Sequence, residues 1–326
     1  MSKDIKENAS NLPTLEKFRQ MGKLIGKTIL ITGATDGIGK QTALMLAKEN
    51  IVIIHGKDPL KCKNTAGEIR KISGKNEVYG IARDLSILSE VRELAFNLKN
   101  EFPAPDILVN NAGIFNSKKE ITEDGFEKTF VVNYLSHFYL TLLLLNNYGL
   151  KYPHSIMSVS SMAHSSISDK NFFKYIDFKD YYEGHDAYAA SKFCQILFTY
   201  KLADKLKDAG ILVNCLHPGV INTKLLRAGW PSVGTAFSFA VSAVSKIFSS
   251  EDNSSPKKGA LNVINALELS ENEKLTGKYF FSGKEVKSNS LSHDKNLQDE
   301  LWKLSVHMTG TDLKPFNTES IRTAKD

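Results

Sequence analysis

Thr32-Gly-Ala-Thr-Asp-Gly-Ile-Gly39 is the stretch on which the fold turns. It follows the apolar run Lys27-Thr-Ile-Leu-Ile31 and leads into the helix-like residues Lys40 to Lys48. An apolar run of this length reads as a buried strand, and glycines permit a tight turn after it. The first N–H groups of the next helix have no carbonyl partners within the helix and can hold a pyrophosphate. Strand, glycine turn and helix in this order form the entry to a dinucleotide-binding fold. Glycines also mark ordinary turns, so the rest of the chain has to decide.

Short apolar runs alternate with helix-like stretches along most of the sequence, the pattern of βαβ units and a parallel sheet. The predicted strands are Thr28–Thr32, Ile51–His55, Glu77–Ala82, Ile107–Asn110, Ser155–Val159, Leu212–Leu216 and Tyr279–Phe281. They specify an α/β protein with a doubly wound, seven-stranded parallel sheet in three α/β/α layers, built as a single domain. Residues 1–25 form an N-terminal extension, 26–290 the domain, and 291–326 a C-terminal extension. Ligands of such sheets bind beyond the carboxyl ends of the strands, and the polar residues discussed below fall at or just after those ends.

The 326 residues are 42% apolar and 24% charged, an ordinary globular composition. The net charge of +6 is modest and dispersed among acids, which argues against a nucleic-acid partner. The three cysteines, Cys62, Cys194 and Cys215, form no CxxC pair and no zinc-spaced cluster, so no metal is expected and a reduced, cytoplasmic compartment fits. Two uncharged stretches stand out. Thr129 to Leu150 carries Asn133, His137, Asn146 and Asn147, and reads as a core or subunit-interface helix, with a homodimer one outcome, rather than a membrane span. Ala228 to Ser245 is rich in Ala, Ser and Phe and reads as part of a lid over an apolar pocket, about residues 224–255, or as a helix lying peripherally on a membrane. Trp230 and Phe237 are its candidate substrate contacts.

Two further motifs follow the glycine turn in order, Asn110-Asn-Ala-Gly113 and Tyr188-Ala-Ala-Ser-Lys192. Together the three resemble the classical short-chain dehydrogenase/reductase family over about residues 25 to 285. Val159-Ser-Ser-Met-Ala-His164, Asn133-Tyr-Leu-Ser-His-Phe138 and Leu301-Trp-Lys-Leu-Ser305 are similar to its retinol dehydrogenase and WW-domain oxidoreductase branch. The resemblance implies a Rossmann-type fold, a nicotinamide cofactor and hydride transfer between that cofactor and an alcohol or carbonyl carbon of a hydrophobic substrate such as a retinoid, steroid or lipid aldehyde.

By that resemblance Gly33, Thr35, Asp36, Gly37, Ile38 and Gly39 meet the pyrophosphate, Asp84 and Leu85 the adenine, and Asn111, Ala112 and Gly113 the ribose, while Asn110 braces the sheet. Asp84 also suits a helix N-cap. Pro218, Gly219 and Thr223 match the segment that meets the nicotinamide carboxamide. Lys57 aligns with the arginine that often pairs with a 2′-phosphate, which favours NADP(H). Asp58 beside it keeps NAD(H) as the alternative, since a shift of one residue would put a carboxylate there.

Tyr188 and Lys192 stand four apart on a helical stretch, Ala187 to Leu206, so both side chains project from one face. A phenol is a poor base at neutrality. A cation about 4 Å away at an effective dielectric of about 20 is worth up to roughly 4 kcal/mol, enough to lower the tyrosine pKa by about three units. Tyr188 is therefore the candidate acid/base, and Lys192 also matches the ligand of the nicotinamide ribose. Ser161 is the family's match for the hydroxyl on the substrate oxygen, with Ser160 supporting the turn. Asn133 matches the fourth member, which holds a water beside the lysine. His164 and His217, near predicted strand ends, are further candidates for substrate contact, against the plainer reading of polar packing residues. A cofactor-binding regulatory or scaffold protein with little turnover is the competing reading, and a sugar-nucleotide epimerase, which shares the Tyr-Lys pair, a third.

Overall fold

The computed structural model describes residues 24–149, 151–170, 172–177, 182–219 and 255–315. Thr223, Trp230, Phe237 and nearly all of the predicted lid lie outside the described residues.

All seven predicted strands occur: β1 (Thr28–Ile31), β2 (Ile51–Gly56), β3 (Val78–Ala82), β4 (Ile107–Asn110), β5 (Ser155–Val159), β6 (Leu212–Leu216) and β7 (Tyr279–Phe281). They pair in parallel in the order β3-β2-β1-β4-β5-β6-β7. One correction applies to the strand count. A two-residue strand, β8 (Lys284–Glu285), turns back antiparallel on β7 and makes the sheet eight-stranded. Two residues carry no periodicity that a sequence could display.

The helices are α1 (Gly37–Leu46), α2 (Pro59–Ser73), α3 (Leu88–Glu101), α4 (Lys128–Asn147), the short α5 (Lys174–Asp177), α6 (Gly184–Lys205), α7 (Pro256–Glu273) and α8 (Lys295–Thr309). Their termini follow local rules. Asp58 caps α2 by accepting from the Lys61 N–H at 2.9 Å, with Pro59 at the first position, and Asp294 caps α8. β1, β4, β5 and β6 are buried along their whole length because helices cover both faces. Apolar residues of α1, α2 and α7 form the core on one face, and those of α3, α4, α6 and α8 the core on the other, which gives the three layers.

α4 is long and apolar enough to cross a membrane by composition, yet its most apolar window is 89% buried inside the protein. Leu140, Leu142, Leu144 and Leu145 are fully covered within one chain. The uncharged stretch is therefore mostly core, with Leu143 partly buried. α8 completes that cover. Its Trp302 packs edge-on against Phe138 at 5.2 Å and stacks on Phe198 at 6.2 Å, and Ser305 meets the Tyr134 hydroxyl at 2.7 Å.

The strand order reverses between β1 and β4, and the crevice there is where ligands of such sheets bind. Ile31 pairs with Val109, so the chain leaves β1 at Thr32-Gly33 beside the point where Asn110-Asn111 leaves β4. Val159 pairs with Leu216, which sets Ser160-Ser161 beside His217-Pro218.

Candidate active site

Gly33 shows why the turn after β1 needs glycine. Its φ is +63°, and a Cβ there would come within 2.7 Å of the Ala112 Cα. The turn and the segment after β4 thus touch backbone to backbone. Gly39, at the start of α1, is closed in likewise, with Asn111 Nδ2 2.5 Å and the Gly33 carbonyl 2.7 Å from where a Cβ would lie. Thr32 binds the two segments together. Its hydroxyl accepts from the N–H groups of Asn111 and Ala112, each at 2.9 Å, and Asn111 Nδ2 donates to the Thr32 carbonyl at 2.8 Å.

The same hydroxyl contacts His137 Nε2 at 2.9 Å, while His137 Nδ1 lies 3.1 Å from the carbonyl of Asn133. A carbonyl only accepts, so Nδ1 carries the proton and the Thr32 hydroxyl donates to Nε2. Burial lowers the His137 pKa to about 3, which keeps this ring neutral. One relay of hydrogen bonds therefore runs from the glycine turn to Asn133.

Asn133 lies where α4 widens into a π-turn, Val131–Leu135, in which the Ser136 N–H reaches back to the Val131 carbonyl. Such turns inside α-helices concentrate at functional sites. Its side chain is fully buried, accepts from the Ile114 N–H at 2.7 Å, and donates to the Ile114 carbonyl at 3.0 Å and to Ser191 at 2.9 Å.

Tyr188 and Lys192 share the inner face of α6, 9% and 3% exposed. The Lys192 ammonium sits 5.7 Å from the Tyr188 ring centre and donates to the Val159 carbonyl at 2.9 Å and to Gln195 Oε1 at 3.2 Å. Ser161 hydrogen-bonds the Tyr188 side chain. The adjacent Ser160 ties the strand end to α6, donating to the Lys192 carbonyl at 2.9 Å. Asn133, Ser161, Tyr188 and Lys192 thus converge at the carboxyl ends of β4 and β5.

The expectation of a tyrosine pKa lowered by the lysine does not hold in this chain. Burial pushes Tyr188 up to about 12, with the Ser161 hydrogen bond pulling the other way, and burial lowers Lys192 to about 7. The ammonium is aimed at a backbone carbonyl and an amide, and desolvation of both groups outweighs their attraction.

A protein-family model described as short chain dehydrogenase matches residues 27–175 and 176–232. The chain belongs to the short-chain dehydrogenase family. Its relatives place it on the retinol dehydrogenase branch. It is 36% identical over 293 residues to retinol dehydrogenase 13 of Mus musculus, covering 87% of this chain and 84% of the relative. It is 33% identical over 315 residues to retinol dehydrogenase 14 of Homo sapiens, covering 91% of each, and 32% identical over 293 residues to human polyprenol dehydrogenase, covering 87% and 85%. Among solved structures, an uncharacterised protein of Mycobacterium paratuberculosis superposes with a TM-score of 0.68 at 26% identity, over 91% of this chain and 98% of that one. The protein is accordingly an oxidoreductase acting on CH–OH groups.

The residues of this dehydrogenase fit a nicotinamide dinucleotide. Gly33 and Gly39 let the backbone lie close to the segment after β4, and α1 begins at Gly37 just beyond the carboxyl end of β1, where first-turn amides have no carbonyl partner within the helix. Asp36 takes the Gly37 N–H at 2.8 Å. Thr35 packs on Gly56 at the end of β2, and the exposed Lys57 follows directly. Asp58 does not compete for that place, because its carboxylate is turned back to cap α2. Asp84 caps a turn rather than a helix, accepting from the N–H and hydroxyl of Ser86 at 2.9 and 2.8 Å, and Leu85 is buried beside it. Pro218 is held through its carbonyl by Asn262 of α7 at 2.8 Å, just before Gly219.

Phe115, Gln195 and His137 went unread in the sequence, whereas His164 and His217 are sequence candidates for substrate contact. Phe115 stands 6.0 Å from the Tyr188 ring and 5.0 Å from His185, as an apolar wall at the reacting end. Gln195 supports Lys192. His137 lies one helical turn from Asn133, and that i,i+4 spacing was the available signal. His217 stacks on Phe281 at 4.0 Å, and its Nδ1 has no partner among the described residues. His164 is 3% exposed with both ring nitrogens engaged, by Ser161 and by Asn289.

Proposed function

We propose that this dehydrogenase interconverts an alcohol and its aldehyde or ketone on a hydrophobic substrate, using NADP(H). The convergence of the Ser161 and Tyr188 hydroxyls over a buried Lys192 carries this reading. The cofactor supplies or accepts the hydride. In reduction Tyr188 donates its proton to the carbonyl oxygen, while the Ser161 hydroxyl hydrogen-bonds that oxygen as negative charge builds on it. In oxidation the same steps run in reverse, with the Tyr188 phenolate taking the alcohol proton. Burial keeps Tyr188 protonated, which suits it to the donor role in reduction. Asn133 stands at the position where family members hold a water beside the lysine, the route by which the proton would be replaced.

Lys57 favours NADP(H) over NAD(H), because its cation stands free at the end of β2 while Asp58 is occupied as a cap. Phe115 supports an apolar substrate. Retinol and polyprenol, named in the relatives, are isoprenoid alcohols, and that class is the one we assign. Such molecules partition into bilayers, so the reading includes a cytoplasmic protein meeting its substrate at a membrane surface.

The test is NADPH consumption by purified protein over a panel of aldehydes and ketones that includes retinal, with Tyr188→Phe as control. Turnover abolished in the variant, with NADPH still bound, is the expected result. Tight NADPH binding without turnover in either protein would replace this reading with a cofactor-binding role.

A further inference from the structure

We propose that His164 and Asn289 form a positioning pair that sets Ser161 for catalysis, which makes the segment following β8 part of the active-site machinery. The proposal rests on the reading of Ser161 as the group that meets the substrate oxygen.

Ser161 is the second residue beyond β5. Ser160 before it is fixed twice, by its N–H to the Leu216 carbonyl at 2.7 Å and by its hydroxyl to the Lys192 carbonyl. After it the chain enters a short 3-10 turn, Met162–Ser166, whose first amides reach Ser161 only loosely. The Ala163 N–H meets its hydroxyl at 3.2 Å and the His164 N–H its carbonyl at 3.3 Å. The short contact is the His164 ring, with Nδ1 2.6 Å from the Ser161 carbonyl. A carbonyl cannot donate, so Nδ1 bears the proton and Nε2 is an acceptor. Nε2 is filled by the Asn289 N–H at 3.2 Å.

Asn289 grips the turn with its side chain as well. Nδ2 donates to the carbonyls of His164 at 3.1 Å and Ile167 at 2.6 Å, and Oδ1 accepts from the Leu291 N–H at 2.9 Å. The imidazole is thus clamped at both nitrogens and packed edge-on against Tyr279 at 5.1 Å. Burial lowers its pKa, in keeping with a neutral ring that donates once and accepts once. The 2.6 Å bond holds the Ser161 carbonyl and so helps fix the backbone at the Cα that carries the hydroxyl facing Tyr188. The ring itself is too enclosed for substrate, so its effect on the reaction is transmitted through Ser161.

The experiment compares wild type, His164→Leu, His164→Asn and Asn289→Asp in NADPH-dependent carbonyl reduction, with NADPH affinity and melting temperature measured on each. Asparagine places a donor near the position of Nδ1, and aspartate at 289 removes both donated bonds. His164→Leu and Asn289→Asp should lower kcat about tenfold or more, as a misplaced reacting group does, with substrate KM and NADPH Kd within about twofold. His164→Asn should recover most of the loss. A His164→Leu protein that melts normally and keeps its kcat overturns the proposal, as does an asparagine variant no better than leucine. Should His164→Leu not fold, the half-buried Asn289→Asp decides alone, and an unchanged kcat there also overturns it. Wild type as inert as Tyr188→Phe would instead overturn the catalytic reading on which the pair depends.

Discussion

The Lys192 ammonium is bonded to the Val159 carbonyl, 2.9 Å away at the end of β5, so the cation of the Tyr-Lys pair is anchored to the strand that delivers Ser161. Anchoring in a dry site has a cost, visible in a lysine whose pKa falls to about 7.

That lysine makes stability depend on pH. Between pH 7 and its ordinary value of 10.5 the unfolded chain binds a proton there that the folded chain does not, so stability rises with pH across this window. The buried His55, His137, His164 and His217, all lowered, act below pH 7, and the raised cysteines oppose the trend near pH 9. Chemical denaturation of cofactor-free protein should therefore show stability increasing by up to about 1.4 kcal/mol per pH unit from pH 7 to 8.5. Lys192→Met should flatten the curve, and an unchanged slope in that variant would assign the effect elsewhere.

Cofactor choice is expected to hang on Lys57. Lys57→Ala should weaken NADPH binding about tenfold, the equivalent of about 1.4 kcal/mol for one charge-assisted contact, and leave NADH within about twofold. Fluorescence titration of both cofactors reads this directly. Equal weakening of the two would mean that the lysine does not meet a 2′-phosphate.

Thr32→Val keeps the shape of the side chain and removes the hydroxyl that serves two backbone N–H groups and His137. Buried groups left without partners cost roughly 1–3 kcal/mol each, so the variant, which strips three of them, should lose roughly 3 kcal/mol or more of unfolding free energy. Thr32→Ser should lose far less. Urea unfolding of the two variants separates these outcomes, and a valine variant of near wild-type stability would show that the relay is dispensable.

Much of this architecture was legible because it is written in local patterns. β4, β5, β6 and β7 begin and end at the predicted residues, each being a short apolar run closed by turn chemistry. Asn133, Ser161, Tyr188 and Lys192 could be placed in one crevice because strand ends dictate where a doubly wound sheet gathers its polar groups. What escaped depends on long-range packing. The π-turn is invisible because Val131–Leu135 reads as ordinary apolar helix. The pKa of Tyr188 is set by how dry its surroundings are, and helix spacing carries no information about that. The role of Asn289 joins residues 125 positions apart, and no periodicity connects them.

The covering of α4 and α6 by α8 has a consequence for how the chain is made. Synthesis proceeds from the N-terminus, so Tyr134, Phe138 and Phe198 are produced long before Trp302 and Ser305 arrive to seal them. During that interval a greasy stripe faces the surroundings on an otherwise assembled sheet. The last helix is the closing stone of the fold, and a message truncated upstream of it would yield a sticky, unfinished protein rather than a smaller working one.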